Sequence, residues 1–182
     1  PGNGAAELIN SLMKTIDGNI GIIYPTFEEY PNRLNVNSIV PFYPQNKNFS
    51  YNSQDLIDYY DKFNISALLL INPDNPTGNF INKYEILRLA SWAEQRDIRL
   101  IVDESFVDFV DSPDTQTLLS EMILQRYKNL AVIKSISKSF GVPGLRLGIL
   151  ASADEELINF VKKDLSIWNI NSIAEFYLQI CE

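Results

Sequence analysis

With 182 residues, of which 46% are hydrophobic, the chain is long enough for one globular domain with a sizeable core. Its 23 acidic and 15 basic residues give a net charge of −8, which argues against nucleic-acid binding because proteins that bind nucleic acid present a basic surface. The absence of histidine excludes serine–histidine triads and histidine-ligated zinc, and the single cysteine, Cys181, excludes an internal disulfide.

The hydrophobic pattern predicts helices and strands that alternate along the chain. Helices are predicted at 4–16, 53–63, 82–96, 116–124, 154–163 and 172–182. Strands are predicted at 20–24, 38–43, 67–71, 100–102, 130–134 and 145–151, with a loop or irregular helix at 26–35. Ser53 and Asn82 are expected to cap their helices. This alternation indicates an α/β protein, a three-layer α/β/α sandwich with a mostly parallel sheet.

Further features of the chain limit its location and partners. The apolar runs, such as 67–71, are too short to cross a bilayer, so we expect no membrane span. The sequence starts at Pro1 and Gly2 and has no basic segment followed by an apolar stretch there, so we expect no signal peptide. A start at proline suggests a piece of a longer protein. A single cysteine fits a reducing compartment, so we expect a cytoplasmic protein without a metal site.

Polar motifs follow four of the predicted strands, after Tyr24, Ile71, Val102 and Lys134. In parallel α/β sheets a ligand binds outside the carboxyl ends of the strands. Because all four motifs fall at such ends, the sequence predicts one active site there.

The segment 135–148 contains a lysine in unusual surroundings. Lys138 lies between the hydroxyls of Ser135 and Ser137 and the guanidinium of Arg146, whereas a lysine at a strand end is normally a solvated surface residue. Such a lysine can form a Schiff base with an aldehyde cofactor, and the hydroxyls and the arginine can hold a phosphate. The charge of Arg146 is expected to lower the pKa of Lys138, which favours its action as a nucleophile.

Two further motifs follow buried strands. The prolines and the glycine of 72–78 form a rigid turn, which holds Asn75 in one orientation. Asp103 and Glu104 end a strand and permit two interpretations. The magnesium-binding strand of an ATPase would need a phosphate-binding P-loop, which the sequence does not contain. The alternative places Asp103 against the pyridine nitrogen of pyridoxal 5′-phosphate (PLP), where a carboxylate keeps the nitrogen protonated.

Two other segments are ordinary when taken alone. Gly4 precedes a helix whose first amides can donate to a phosphate, but most such turns are simply helix starts. Phe27 follows a strand, as many core aromatic residues do.

Taken together, these residues resemble the large domain of fold-type I PLP-dependent enzymes of the aminotransferase class I/II group. The chain is most similar to histidinol-phosphate aminotransferases and threonine-phosphate decarboxylases, over nearly its whole length. The resemblance implies that Lys138 forms the Schiff base and then moves the substrate proton, and that Asp103 pairs with the pyridine nitrogen. It also implies the remaining contacts with PLP: Asn75 at the ring O3′, Phe27 on the ring face, and Gly4, Ala5, Ala6, Ser135, Ser137 and Arg146 around the phosphate. The segment 168–171 resembles one near the substrate entrance.

The chain departs from the family pattern in two ways. Aminotransferases commonly carry a tyrosine three residues after the aspartate, whereas this chain has Phe106, so one hydrogen bond to O3′ is lost. This departure leans towards the threonine-phosphate decarboxylases. The family's N-terminal segment and its C-terminal small domain are missing, so we expect 1–182 to be a PLP-binding large domain.

We therefore expect a PLP-dependent aminotransferase that acts on a small-molecule amino donor and a keto acceptor, as a homodimer when full length. Decarboxylation of a phosphorylated amino acid is the second interpretation. A third is transamination of an aminoalkyl phosphonate or phosphate ester, in a chain fused to a nucleotidyltransferase. A non-catalytic PLP-fold module is disfavoured because Lys138, Asp103 and Arg146 are all present.

Overall fold

Seven strands form a single mixed sheet in the computed structural model of the chain, which describes residues 1–180. The strands are β1 (Gly2–Asn3), β2 (Ile20–Ile23), β3 (Ile39–Phe42), β4 (Ala67–Ile71), β5 (Arg99–Asp103), β6 (Leu130–Ser135) and β7 (Leu147–Ala151). Their order across the sheet is β1-β7-β6-β5-β4-β2-β3. The five strands from β6 to β3 run parallel, whereas β7 is antiparallel to β6 and β1 is antiparallel to β7.

Helices cover both faces of this sheet. They are α1 (Ala5–Met13), α2 (Ser53–Tyr60), α3 (Lys83–Gln95), α4 (Pro113–Gln116), α5 (Glu121–Arg126), α6 (Ile136–Ser139), α7 (Glu155–Asp164) and α8 (Ser172–Ile180). The apolar sides of α1 and α7 pack on one face, and those of α2, α3 and α5 pack on the other. The predicted three-layer α/β/α sandwich is therefore confirmed. No helix within residues 1–180 is both long and apolar enough to span a membrane.

The central strand β4 shows why the sheet needs both layers. Its five residues are all buried, with Leu68 and Leu70 in the core under α2 and α3, and Leu69 and Ile71 in the core under α1. Successive side chains of a strand point to opposite faces, so a continuous apolar run requires cover on both sides.

The segment 116–124 is not the single helix that its pattern predicts. The structure has α4 and α5 on either side of an extended stretch. Glu104 causes the break, because its carboxylate accepts hydrogen bonds from the Thr117 hydroxyl (2.7 Å) and from the Leu118 main-chain N–H (2.6 Å). A main-chain donor that is committed to a side chain in this way cannot continue a helix.

Other boundaries differ less. Asn52, rather than the predicted Ser53, caps α2, and the Asp55 carboxylate accepts a hydrogen bond from the Asn52 main-chain N–H, so the two form a capping box. The prediction of Asn82 as the cap of α3 is confirmed. The predicted helix 172–182 is α8, whose last two predicted residues, including Cys181, lie outside the described residues.

Candidate active site

The candidate residues gather at one edge of the sheet. The strands β2, β4, β5 and β6 are parallel neighbours, so the segments that follow them emerge at the same edge. Strand β7 runs in the opposite direction and therefore begins at that edge, which adds Arg146. Strand β1 pairs with the start of β7 and adds Gly4 and the beginning of α1.

Lys138 lies in the short helix α6, directly after β6. Its Nζ atom is 3.8 Å from the ring centroid of Phe106 and 5.8 Å from that of Phe27. Burial lowers the pKa of Lys138, and the negative charge of Asp103 partly opposes this effect. The predicted cause, the charge of Arg146, is therefore wrong. A lysine with a lowered pKa is more often neutral, which a nucleophilic amine requires.

Asp103 ends β5 and is only 4% exposed. Its Oδ2 atom accepts a hydrogen bond of 2.7 Å from the Tyr30 hydroxyl, and its Oδ1 atom accepts one of 2.9 Å from the Ser105 main-chain N–H. Each carboxylate oxygen can accept more than one hydrogen bond, so the group retains capacity for a further donor. Burial, reinforced by the charge of Asp103, raises the pKa of Tyr30 well above its usual range, and the hydroxyl therefore stays a donor.

Glu104, the other carboxylate of the pair, has a structural role. It is 1% exposed, and its two oxygens accept hydrogen bonds from Thr117 and Leu118. Burial raises the pKa of Glu104. The adjacent carboxylates therefore differ in function, since Glu104 anchors the segment that leads to α5 and Asp103 belongs to the site.

Asn75 is presented by a loop that other side chains close. Asn72 is buried and makes two hydrogen bonds of 2.8 Å to the main chain of Ile81, on the far side of the loop. Within the loop the Thr77 hydroxyl donates to Asp74. The side-chain amide of Asn75 makes no hydrogen bond to any of residues 1–180, so it is available to a ligand.

The beginning of α1 and the side chain of Arg146 form a cradle for an anion. The main-chain amides of Ala5 and Ala6 open the helix and have no acceptor within it. Gly4 has a φ of +89°, and a Cβ atom there would lie 2.5 Å from Arg146 Nη2, so only a glycine lets the guanidinium pack so close. Gly148 permits a second close approach, that of β7 to the beginning of α1, because a Cβ atom at Gly148 would lie 2.5 Å from Ala5 N.

The two serines of the lysine segment differ in what they contact. The Ser137 hydroxyl is buried and lies 3.3 Å from Leu147 N and 3.4 Å from Leu147 O, so it connects α6 to the start of β7. The main-chain N–H of Ser135 donates to Ser105 Oγ at 2.9 Å, while its own hydroxyl has no partner among residues 1–180. The contact of both hydroxyls with a phosphate stays a prediction.

The segment 168–171 lies beside the N-terminal strand. The side chain of Asn169 donates to the carbonyl of Pro1 at 3.0 Å, and Trp168 is 89% exposed. Its proximity to a substrate entrance stays a prediction.

Sequence reasoning missed Tyr30 and Ser105. Tyr30 lies 73 positions before Asp103, and a tyrosine three residues after Phe27 has no local pattern that marks it as a donor. Ser105 acts through its main-chain N–H and its hydroxyl, and its place directly after the predicted strand end was the signal that could have identified it.

These polar groups fit PLP, which has an aldehyde, a ring nitrogen, a phenolic oxygen and a phosphate. The amine of Lys138 suits the aldehyde, and the carboxylate of Asp103 suits the protonated nitrogen. The amide of Asn75 suits the phenolic oxygen, and the cradle of amides and Arg146 suits the phosphate.

Comparison with known proteins agrees with this geometry. The chain is 33% identical over 178 residues to the CMP-5′-(3-aminopropyl)phosphonate synthase of Streptomyces rubellomurinus, an alignment that covers 98% of this chain and 28% of the synthase. It is 31% identical over 183 residues to an L-serine phosphate decarboxylase of Campylobacter jejuni, covering 98% of this chain and 46% of that enzyme. The crystal structure of the histidinol-phosphate aminotransferase from Clostridium acetobutylicum is similar with a TM-score of 0.82 and 30% identity, covering 96% of this chain and 51% of the other.

The chain therefore spans about half the length of these relatives or less. The family model for aminotransferase class I and II matches residues 1–178, which is almost the whole chain. The chain belongs to the aminotransferase class I and II family, whose enzymes use pyridoxal 5′-phosphate.

Proposed function

We propose that the intact protein is a PLP-dependent aminotransferase, a homodimer whose amine substrate carries a phosphate or phosphonate group, and that 1–182 is its large, cofactor-binding domain. One observation carries the proposal. The amine of Lys138 lies against the ring of Phe106 without an acidic ion-pair partner among residues 1–180, and Asp103 is held close enough to influence its pKa.

In this proposal, different residues of the site bind different parts of PLP. The amides of Ala5 and Ala6, the Ser135 hydroxyl and Arg146 hold the phosphate, which fixes the position of the cofactor relative to the sheet. Phe27 covers one face of the ring. Asn75 donates its amide hydrogen to the ring O3′.

Lys138 and Asp103 carry the chemistry. When bound, PLP withdraws electrons from the substrate Cα, so that a bond at that carbon can break. Asp103 holds the proton on the ring nitrogen, which keeps the ring cationic. With PLP held there, the Lys138 amine would bind its aldehyde and would be released when the substrate amine takes its place. The free amine would then remove the proton from the substrate Cα and, in amino transfer, deliver it to C4′ of the cofactor.

The substrate class rests on the relatives. The three proteins compared above are named for an aminopropyl phosphonate, for serine phosphate and for histidinol phosphate. All three compounds combine an amine with a dianionic phosphorus group. A dianion of this kind is best bound by arginine forks and main-chain amides, so we expect the parts of the intact protein outside 1–182 to supply them.

Decarboxylation of a phosphorylated amino acid is the second candidate. It is favoured by Phe106, which stands where aminotransferases commonly carry tyrosine, and by the similarity to the L-serine phosphate decarboxylase. In that reaction the carboxylate leaves the substrate Cα as carbon dioxide, and Lys138 Nζ gives a proton to Cα.

Trapping of the cofactor tests the role of Lys138. The intact protein is incubated with PLP and reduced with borohydride, and the modified peptide is identified by mass spectrometry. We expect a pyridoxyl group on Lys138, lost in Lys138→Ala and kept in Lys128→Ala, an exposed lysine that precedes β6. Labelling at another lysine, or no labelling of the intact protein, would contradict the proposal.

Product analysis then separates the two candidates. The intact protein is incubated with O-phosphoserine, O-phosphothreonine, histidinol phosphate or 3-aminopropylphosphonate, each with and without a keto acid. Amino transfer needs the keto acid and converts it to an amino acid. Decarboxylation proceeds without a keto acid and releases carbon dioxide. Release of carbon dioxide without amino transfer would replace the first candidate by the second.

A further inference from the structure

Tyr30 connects the two surfaces between which the cofactor ring is proposed to lie. Its side chain is completely buried, and its hydroxyl donates to Asp103 Oδ2 at 2.7 Å. Its ring meets that of Phe27 edge to face, with centroids 6.4 Å apart. One residue therefore contacts both the predicted partner of the ring nitrogen and the predicted cover of the ring face.

The position of the Tyr30 hydroxyl lets it fix the orientation of the Asp103 carboxylate. Three groups act on this carboxylate: the Tyr30 hydroxyl, the Ser105 main-chain N–H and the ammonium group of Lys138. A short hydrogen bond donated to a carboxylate oxygen is directional and so restricts the rotation of the carboxylate. Among the side chains of residues 1–180, Tyr30 alone donates a hydrogen bond to Asp103.

We infer that Tyr30 is a positioning residue, which fixes the orientation of the Asp103 carboxylate so that it faces the ring nitrogen of PLP and holds the proton there. The inference rests on the proposed function. Without the hydroxyl, the carboxylate loses its one side-chain donor and can turn, so that it holds the proton on the ring nitrogen less firmly. The ring then carries less positive charge, and the nitrogen that joins the cofactor to Lys138 holds its own proton more tightly.

The test uses Tyr30→Phe in the intact protein, with Tyr60→Phe as the matched control. Tyr60 is also a buried tyrosine of the core, but its hydroxyl donates to the carbonyl of Val40, on the outer strand β3. Two quantities are measured: the dissociation constant of PLP, and the pH midpoint at which the visible absorbance of the lysine-bound cofactor changes.

For Tyr30→Phe we expect PLP to bind about tenfold more weakly or worse, since a hydrogen bond to a charged group is lost. We expect the absorbance midpoint to move upward by roughly one pH unit. For Tyr60→Phe we expect both quantities to match the wild type. If Tyr30→Phe also matches the wild type in both, the inference is overturned. If the wild type itself binds no PLP, the proposed function fails instead.

A double variant shows whether Tyr30 acts through Asp103. In an Asp103→Asn background, Tyr30→Phe is expected to leave the dissociation constant of PLP unchanged, because the carboxylate that Tyr30 orients is gone. A persistent tenfold effect in that background would mean that Tyr30 acts by packing, and would overturn the inference. If Tyr30→Phe alone does not fold, folding of the double variant supports the inference and its failure to fold overturns it.

Discussion

The close approach of β7 to α1 gives the sharpest prediction for the anion cradle that the beginning of α1 and Arg146 form. Gly148→Ala places a Cβ atom 2.5 Å from Ala5 N, 2.7 Å from the carbonyl carbon of Gly4 and 2.9 Å from Ala5 Cα. All three are main-chain atoms and cannot rotate away, as a side chain could. Ordinary contact begins at 3.4 Å, so the start of α1 must move by roughly 0.9 Å.

A shift of this size has two measurable consequences. Overpacking at a buried position costs about 1–3 kcal/mol of unfolding free energy, and each kcal/mol lowers Tm by about 2–4 °C in a domain of this size. The shift also moves the amides of Ala5 and Ala6 beyond hydrogen-bonding distance of a phosphate that Arg146 still holds. Since a hydrogen bond to a charged group contributes about 1.5–3 kcal/mol, we expect PLP to bind at least about tenfold more weakly.

The assay combines thermal unfolding of the apoprotein with titration of PLP, followed by absorbance. Gly144→Ala is the matched control, because a Cβ atom at Gly144 meets nothing within 4 Å. We expect this control to behave as the wild type in both measurements. If Gly148→Ala were indistinguishable from Gly144→Ala in Tm and in PLP affinity, the close approach of β7 would not determine the cradle, and the reasoning would be refuted.

Two titrations provide further predictions. Burial raises the pKa of Asp74 to about 6, above its value of about 3.9 in the unfolded chain. The folded protein therefore binds this proton more tightly, and its stability falls as the pH rises from about 4 to about 6. Asp74→Asn removes this titration, so its Tm relative to the wild type should rise over that range, and a constant difference would contradict the buried carboxyl. Burial also lowers the pKa of Lys138, so the rate at which the apoprotein captures PLP should reach half its maximum below the ordinary lysine value of about 10.4. Lys138→Ala serves as the blank, and a midpoint at or above that value would argue against a buried amine.

The sequence predicts best those elements whose pattern and tertiary environment agree. Strand β4 is a continuous apolar run with cover on both faces, and its predicted bounds are those of the structure. Helix α3 has a stripe of buried side chains, and both the helix and its asparagine cap were predicted. The common edge of the candidate site also follows from sequence, because parallel strands place their carboxyl ends together.

The sequence fails where a distant side chain overrides a local pattern. The periodicity of 116–124 indicates one helix, but Glu104 takes the main-chain N–H of Leu118. Nothing in the segment itself shows this. The two-residue strand β1 is likewise too short to have a period, and it exists because it pairs with β7.

Proximity in sequence was misleading for Lys138 and Arg146. Eight positions separate them, and their charges were expected to interact directly. The chain instead turns through α6 and enters β7, so that Arg146 packs against Gly4, from the other end of the chain. The two cations therefore lie apart: Lys138 is near the rings of Phe27 and Phe106, and Arg146 is beside the start of α1, where the proposed function places the phosphate.

Phe106 makes a contact that the sequence does not show, because the sequence indicates only the absence of a tyrosine hydroxyl. Compared with tyrosine, it lacks a hydroxyl that would reach the ring O3′, a hydrogen bond of about 0.5–1.5 kcal/mol. Its ring nevertheless lies 3.8 Å from Lys138 Nζ, a cation–π contact of about 0.5–2 kcal/mol that either aromatic residue could make. In the proposed site a tyrosine at this position would make both contacts, and Phe106 retains the one with the proposed base. In the proposed site, contact with O3′ would then depend on Asn75, whose amide is unpaired within residues 1–180 and lies in the loop that Asn72 closes.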